Sequence, residues 1–369
     1  VFFAKAQIGK QTFDFSGQRL AASGTISMDS VVDYASNEKG YGFDFDSGTA
    51  VHFTTVKGKQ TLYSDKPFYF SVNLKEGNYK VTLYYKGLPE RNLYSTVRSE
   101  SRRWSLEKVL VNKKKNVVKS FVVNIKDATI KDSLLDKLKK PREVEKMDWD
   151  NKMTLEFQGE NNLEKIVIEP VTVTTLFLAG NSTVVNQEDE PWASWGQMIP
   201  RYFDTSIAVA NHAESGLALS SFLSSNRLDK ILAVAQPGDY LFIEFGHNDQ
   251  KEKGADAGAF KGYADRLRLF VNKFRAIGGY PVIVTSTARR SFDESGALLY
   301  TLGDFPAAAR QVAQEMNVPL IDLNKMTRDF YLALGVEESK HALVHYAANT
   351  FPNQKQSLQD NTHFNTYGA

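Results

Sequence analysis

The feature that most narrows what this chain can fold into is a change of hydrophobic texture near residue 172. Before it, short alternating or aromatic-rich runs are broken by turn residues: Tyr41-Gly42-Phe43-Asp44-Phe45-Asp46-Ser47-Gly48, Phe68-Tyr69-Phe70-Ser71-Val72, Tyr79 to Tyr85, Ser120 to Ile125, Met153 to Phe157 and Lys165 to Glu169. Such runs predict strands, and their regular spacing predicts a β-sandwich over residues 1–171. Asp132 to Lys146 is charged and interrupted by Pro141, and reads as a loop or short helical insertion. After residue 172, buried-type strands at Thr174 to Ala179, Tyr240 to Phe245, Pro281 to Thr285 and Val318 to Leu323 alternate with helical stretches. One stretch runs from Phe260 to Ala276, with Tyr263, Leu267, Phe270, Val271 and Phe274 at steps of three or four, and another from Phe305 to Met316. This alternation predicts a parallel sheet wrapped by helices over residues 172–369. Two domains also suit 369 residues, more than one core usually serves.

Composition removes several function classes. Lysine and arginine total 45 against 43 acids, a net charge of +2, too balanced for a polyanion-binding surface, so no nucleic-acid partner is expected. The run Lys113-Lys114-Lys115 and the stretch around Lys137, Lys139 and Lys140 are short, flanked by acids, and read as solvated faces. The absence of cysteine excludes disulfides, thiolate catalysis and cysteine-ligated zinc. No apolar run approaches the ~18 residues that cross a bilayer, so no membrane span is expected. No signal-peptide pattern opens the chain; a processed secreted protein and a cytosolic one both read this way. A monomer is the default expectation.

In an open α/β sheet, ligands sit at the carboxyl ends of the strands. Directly after the first such strand stands Gly180-Asn181-Ser182-Thr183, where a glycine permits a tight turn and a serine could be exposed as a nucleophile; an ordinary turn has the same composition. After Tyr240 to Phe245 stands Gly246-His247-Asn248-Asp249. The Asn248 amide could donate to a developing oxyanion, while His247 and Asp249 could equally be capping or structural groups. Between them, Asn211-His212-Ala213-Glu214-Ser215-Gly216 offers an unshielded backbone N–H at Gly216, or simply a loop glycine. Near the chain end, Asp360-Asn361-Thr362-His363 spaces a carboxylate three residues from an imidazole, which lets the acid orient the base and stabilise its charged form. No HExxH or comparable cluster accompanies them, so no metal is expected.

Taken in order, these segments resemble the SGNH hydrolases, the GDSL-type esterases. The resemblance implies a three-layer α/β/α fold with Ser182, Gly216, Asn248 and His363 as the four signature residues and Asp360 as third member of the triad. The wording Gly180-Asn181-Ser182-Thr183-Val184, Asn211-x-Ala213-x-x-Gly216, Gly246-His247-Asn248-Asp249 and Asp360-Asn361-Thr362-His363-Phe364 is similar to the rhamnogalacturonan acetylesterase branch, which deacetylates pectic polysaccharide. The first domain resembles the galactose-binding-like β-sandwich that precedes such esterases, on Phe13-Asp14-Phe15, Lys39 to Phe45, Glu100-Ser101-Arg102-Arg103 and Trp149 to Phe157. Two departures stand out. The family's commonest first block has Asp where this chain has Asn181, which removes no triad member and is expected to leave activity intact. Many relatives also carry a polar, Arg-containing stretch after the glycine loop, where this chain has Leu217-Ala218-Leu219, so its contacts to an anionic sugar are expected to differ. A closing helix is expected to begin at Thr366-Tyr367-Gly368-Ala369.

The resemblance therefore implies a serine esterase with Ser182 as nucleophile, His363 as base oriented by Asp360, and an oxyanion hole from the Ser182 and Gly216 N–H groups with Asn248. Acetylated polysaccharide or oligosaccharide is the implied substrate, no cofactor is required, and a secreted, periplasmic or cell-surface location follows, with a signal peptide already removed. The rival readings are a lipase or thioesterase on the same scaffold, and a carbohydrate-binding protein without catalysis. Tyr84, Tyr85, Tyr94 and Trp104 are candidate glycan-stacking aromatics of the first domain, with core packing as the alternative job.

Overall fold

The computed structural model describes residues 9–18, 23–56, 58–131 and 134–369. Two compact units are present: one takes the chain up to Asp127 with Lys140–Val173 and Ile199–Val209, the other takes Ala128–Lys139, Thr174–Met198 and Ala210–Ala369.

In the first unit, alternating residues do what period-two patterning requires. Phe68, Phe70 and Val72 turn inward from one strand, and Met153, Leu155 and Phe157 from its antiparallel neighbour, so that the Phe68 and Phe157 rings stack at 4.6 Å. Among the described residues the strands form a five-stranded sheet, ordered Tyr41–Asp44, Phe68–Asn73, Lys152–Gly159, Leu93–Ser99 and Arg103–Val111, and a seven-stranded sheet built on Gly77–Tyr85 and Asn161–Pro170. Both sheets contribute to one apolar core that includes Phe13, Phe43, Phe70, Leu83, Phe157 and Ile166. Of the four candidate aromatics, Tyr85 is core, with its hydroxyl 2.9 Å from Ser95 Oγ. Tyr84 lies under the Lys165 ammonium, Trp104 beside the Arg201 guanidinium, and Tyr94 is exposed. The stretches Glu100 to Arg103 and Trp149 to Phe157 hold buried polar contacts: Glu100 accepts from Thr154 N at 2.9 Å, and the buried Lys126 bonds Asp148 O at 2.9 Å while lying over Trp149.

Thr174–Gly180 (β1), Ile207–Asn211 (β2), Tyr240–Phe245 (β3), Tyr280–Thr285 (β4) and Leu320–Ile321 (β5) are ordered β2-β1-β3-β4-β5 in one sheet, which belongs to the second unit except for Ile207–Val209 of β2. The pairings β1/β3, β3/β4 and β4/β5 are parallel. Helices Leu219–Ser224 (α1), Arg227–Val234 (α2), Ala264–Ala276 (α3) and Phe305–Glu315 (α4) bury apolar faces on it; Leu267, Phe270, Val271 and Phe274 of α3 are fully interior. A helix Leu323–Glu338 (α5) and an antiparallel hairpin Leu343–Tyr346 (β6) and Leu358–Phe364 (β7) complete the unit.

Two expectations need correcting, and a third takes the loop form of its two readings. The strand read over Val318 to Leu323 shrinks to Leu320–Ile321 because Asp322 caps α5, its carboxylate accepting from Lys325 N. The helix read from Phe260 begins at Ala264, after a kinked turn with Lys261 outside helical angles. In the charged stretch 132–146, Asp132 and Ser133 lie outside the described residues; Leu134–Leu135 pairs with Thr129–Lys131, and the rest is loop and turn. No helix among the described residues is long and apolar enough to cross a membrane.

Candidate active site

Strand β1 ends in a turn that only glycine allows. A Cβ on Gly180 would lie 2.4 Å from Val184 Cγ2, so the chain folds back over a position that must lack a side chain. Asn181 then closes the turn: its Oδ1 accepts from Thr183 N and Thr183 Oγ1, both at 3.1 Å, and its carbonyl accepts from Val184 and Val185. The amide thus supplies the same accepting oxygen that an aspartate would. Ser182, between these buried neighbours, is partly exposed.

The hairpin strand β7 brings the imidazole to it. His363 Nε2 lies 2.8 Å from Ser182 Oγ, and His363 Nδ1 lies 2.6 Å from Asp360 Oδ2. The other carboxylate oxygen accepts from Thr362 N at 2.8 Å and His363 N at 3.0 Å. Burial raises the Asp360 carboxyl, but the His363 hydrogen bond and charge and these two amides outweigh it and bring it down to about 2. An ionised Asp360 holds the proton of the imidazole on Nδ1, which leaves Nε2 to accept from the serine hydroxyl. The strand itself is pinned: Phe364 O accepts from Ala193 N at 2.8 Å, and Asn361 receives Arg290 N at its carbonyl and Arg290 Nη1 at its side chain.

Gly216 and Asn248 reach the same region through linked segments. Glu214 N donates to Gly180 O at 3.3 Å, setting the glycine loop beside the end of β1. Gly216 itself is exposed with φ +77°, a backbone angle that glycine takes without strain. Asn248 Nδ2 donates to Leu217 O at 3.1 Å, while its Oδ1 accepts from Lys251 Nζ at 2.9 Å. These partners dictate which end of the amide is nitrogen and commit one of its two N–H groups. Asp249 anchors the junction by accepting from Leu219 N at 2.9 Å, and its burial pushes the carboxyl up to about 6.

Behind the turn lie two buried residues: Glu244, which escaped the sequence reading, and His247, which that reading offered as a capping or structural group. Glu244, one residue before the end of β3, accepts from Thr183 Oγ1 at 2.8 Å and from Trp195 Nε1 at 3.2 Å. Burial pushes its carboxyl up to about 7. His247 is buried 4.0 Å from it, and burial together with nearby cations lowers the imidazole to about 3, which keeps it neutral. The signal for Glu244 was visible: an acid inside the apolar run Tyr240 to Phe245 needs a buried partner. Among the described residues, no group of three or more His, Cys, Asp or Glu is arranged to hold a metal.

Comparison with known proteins places these contacts in context. The family described as GDSL-like Lipase/Acylhydrolase matches residues 178–369. Rhamnogalacturonan acetylesterase RhgT of Bacillus subtilis strain 168 is 42% identical over 196 residues, covering 53% of this chain and 84% of that protein. Probable rhamnogalacturonan acetylesterase YesY of the same strain is 31% identical over 197 residues, 53% of this chain and 86% of that protein. Among solved structures, protein YxiM of Bacillus subtilis aligns with 97% of this chain and 94% of its own, at 21% identity and a TM-score of 0.47.

Proposed function

The chain belongs to the GDSL-like lipase/acylhydrolase family, and from that premise we propose that it is a serine carbohydrate esterase that removes O-acetyl groups from pectic polysaccharide. The observation that carries the chemistry is the unbroken line of hydrogen bonds Asp360–His363–Ser182, at 2.6 and 2.8 Å. Ser182 Oγ attacks the acetyl carbonyl as His363 Nε2 takes its proton; His363 returns that proton to the departing sugar oxygen, leaving an acetyl-serine. Water, deprotonated by the same imidazole, then releases acetate and restores the hydroxyl. The tetrahedral oxyanion is held by the Ser182 and Gly216 backbone N–H groups and the second N–H of Asn248. No step requires a metal or organic cofactor.

The sugar chemistry rests on the pectic substrate named for two relatives of this chain. A cavity of about 830 Å³ suits a polymer: its walls include Asp189 and Trp192, on the segment that leads from the Ser182 turn, and Phe351, Lys355 and Leu358, on the hairpin that leads to His363. We read the first unit as a galactose-binding-like β-sandwich of the jelly-roll type, and its cavity of about 420 Å³, walled by Tyr34, Asn73 and Lys152 among others, as the place to look for glycan. A polymeric substrate implies a secreted, periplasmic or cell-surface enzyme.

The test is acetate release from acetylated pectin, acetylated xylan, short acetyl esters and long acyl esters. Ser182→Ala should lower kcat by about 10⁶ with the fold intact by circular dichroism. Turnover persisting in that variant removes the nucleophile, and a preference for long acyl chains makes the protein a lipase.

A further inference from the structure

The cavity of about 830 Å³ has two walls, and each is tied to a catalytic segment. The first wall, Asp189 to Trp192, is bracketed by two hydrogen bonds. Gln187 Nε2 donates to Ser182 O at 2.9 Å, and Ala193 N donates to Phe364 O at 2.8 Å. The short excursion between these anchors is thereby held beside the Ser182–His363 pair. The second wall is the connection of the β6–β7 hairpin, and it carries Phe351.

That connection is built to hold one ring in place. Gln354 is its internal post: Nε2 donates to Ala347 O at 2.8 Å and to Gln356 O at 2.7 Å, while Oε1 accepts from Phe351 N at 3.1 Å. Its backbone carbonyl accepts from Asn349 N at 2.8 Å, and its own N–H donates to Phe351 O at 3.2 Å, so every polar group of the residue is used. Asn349 and Asn353, both at φ +62°, turn the chain on either side of Phe351, at a left-handed angle that asparagine tolerates. The Phe351 ring packs edge-to-face against Tyr346, with centroids 4.9 Å apart at 87°, and the Tyr346 hydroxyl accepts from Asn365 Nδ2 at 2.9 Å. Asn365 stands two residues past His363, which fixes the ring relative to the base. Phe351 stays partly exposed, so this scaffolding adds little apolar burial of its own.

We propose that Phe351 is a specificity residue that stacks on a pyranose ring of the acetylated glycan, with Trp192 of the other wall completing the same subsite. The inference rests on the reading of this site as a glycan acetylesterase and goes further by naming what holds the sugar. A pyranose has an apolar C–H face and a rim of hydroxyls. The cavity offers the match, aromatic side chains together with the polar groups of Asp189, Lys355 and Gln356. A fatty acyl chain has no such rim. A ring ordered in advance also loses no further freedom when the sugar binds.

The experiment takes the ratio of kcat/KM on acetylated rhamnogalacturonan oligosaccharides to that on a short acetyl ester that carries no sugar. Phe351→Ala should lower this ratio about tenfold, chiefly through KM on the glycan, and Phe351→Trp should restore most of it. Trp192→Ala should move the ratio in the same direction. Gln354→Ala, which removes the post but keeps the ring, should lower it by about threefold. A ratio unmoved by Phe351→Ala, including an equal loss on both substrates, overturns the inference and leaves Phe351 a structural residue. A larger loss on a long acyl ester than on the glycan overturns it as well and makes the cavity an acyl site. Wild-type protein that releases no acetate from either substrate instead overturns the esterase reading itself, and one active on the short ester alone overturns the glycan reading.

Discussion

Asn248 shows how a single side chain is prepared for its proposed task before substrate arrives. Lysine can only donate and a carbonyl can only accept, so Lys251 and Leu217 together hold the amide in one orientation with an N–H in reserve. A donor fixed in advance favours the transition state, because nothing has to reorganise when the carbonyl oxygen gains charge. Asn248→Ala should therefore lower kcat by about 10²–10³ with little change in KM, measured on a short acetyl ester. An effect confined to KM would assign Asn248 to ground-state binding. Asp360 is prepared in the same sense, with one oxygen occupied by two amides and the other by the imidazole.

Between elements, the link of greatest consequence is Glu244 on β3, which grips the turn after β1 through Thr183 and a neighbouring segment through Trp195. The carboxyl is pushed up to about 7 by burial, from an ordinary 4.5, so the folded state binds its proton more tightly than the unfolded chain does. Its contribution to stability is complete below about pH 4.5 and disappears as the pH rises through about 7, where a buried charge must form. Glu244→Gln keeps an oxygen for Thr183 and Trp195 but has no proton to lose. It should flatten the stability curve between these limits, by about 3 kcal/mol at the upper end, read from urea unfolding at pH 5 and pH 8. Asp249, also pushed up, keeps a smaller slope of the same sign in the variant. A curve that falls as steeply in Glu244→Gln as in the wild type would show the slope to arise elsewhere.

At the scale of the whole molecule, charge is divided between surface and interior. The near-balance of 45 basic and 43 acidic residues conceals buried pairs such as Arg98 and Glu156, joined by two parallel bonds at 2.7 and 2.5 Å with under a tenth of either side chain exposed. Removing one partner strands the other in the core of the first unit. Arg98→Ala should cost about 3 kcal/mol or more, seen as a lowered transition in scanning calorimetry, and an unshifted transition would mean that water reaches Glu156. Such pairs are invisible in composition, as is the packing that decides them. What the sequence by itself determined is local and periodic: both ends of Tyr240–Phe245, the apolar stripe of α3, and the motifs at strand ends, because side-chain alternation and turn chemistry act over a few residues. Helix α5 stayed hidden because its interior positions are Asn324, Thr327 and Tyr331, and β7 because its residues are mostly polar. Only the tertiary structure decided that His363, separated by 181 positions from Ser182, meets it at 2.8 Å, that Glu244 braces the turn, and that Lys139, a surface charge by composition, reaches Gly216. Contacts between segments far apart in the chain depend on how whole elements pack, and no local pattern encodes that distance.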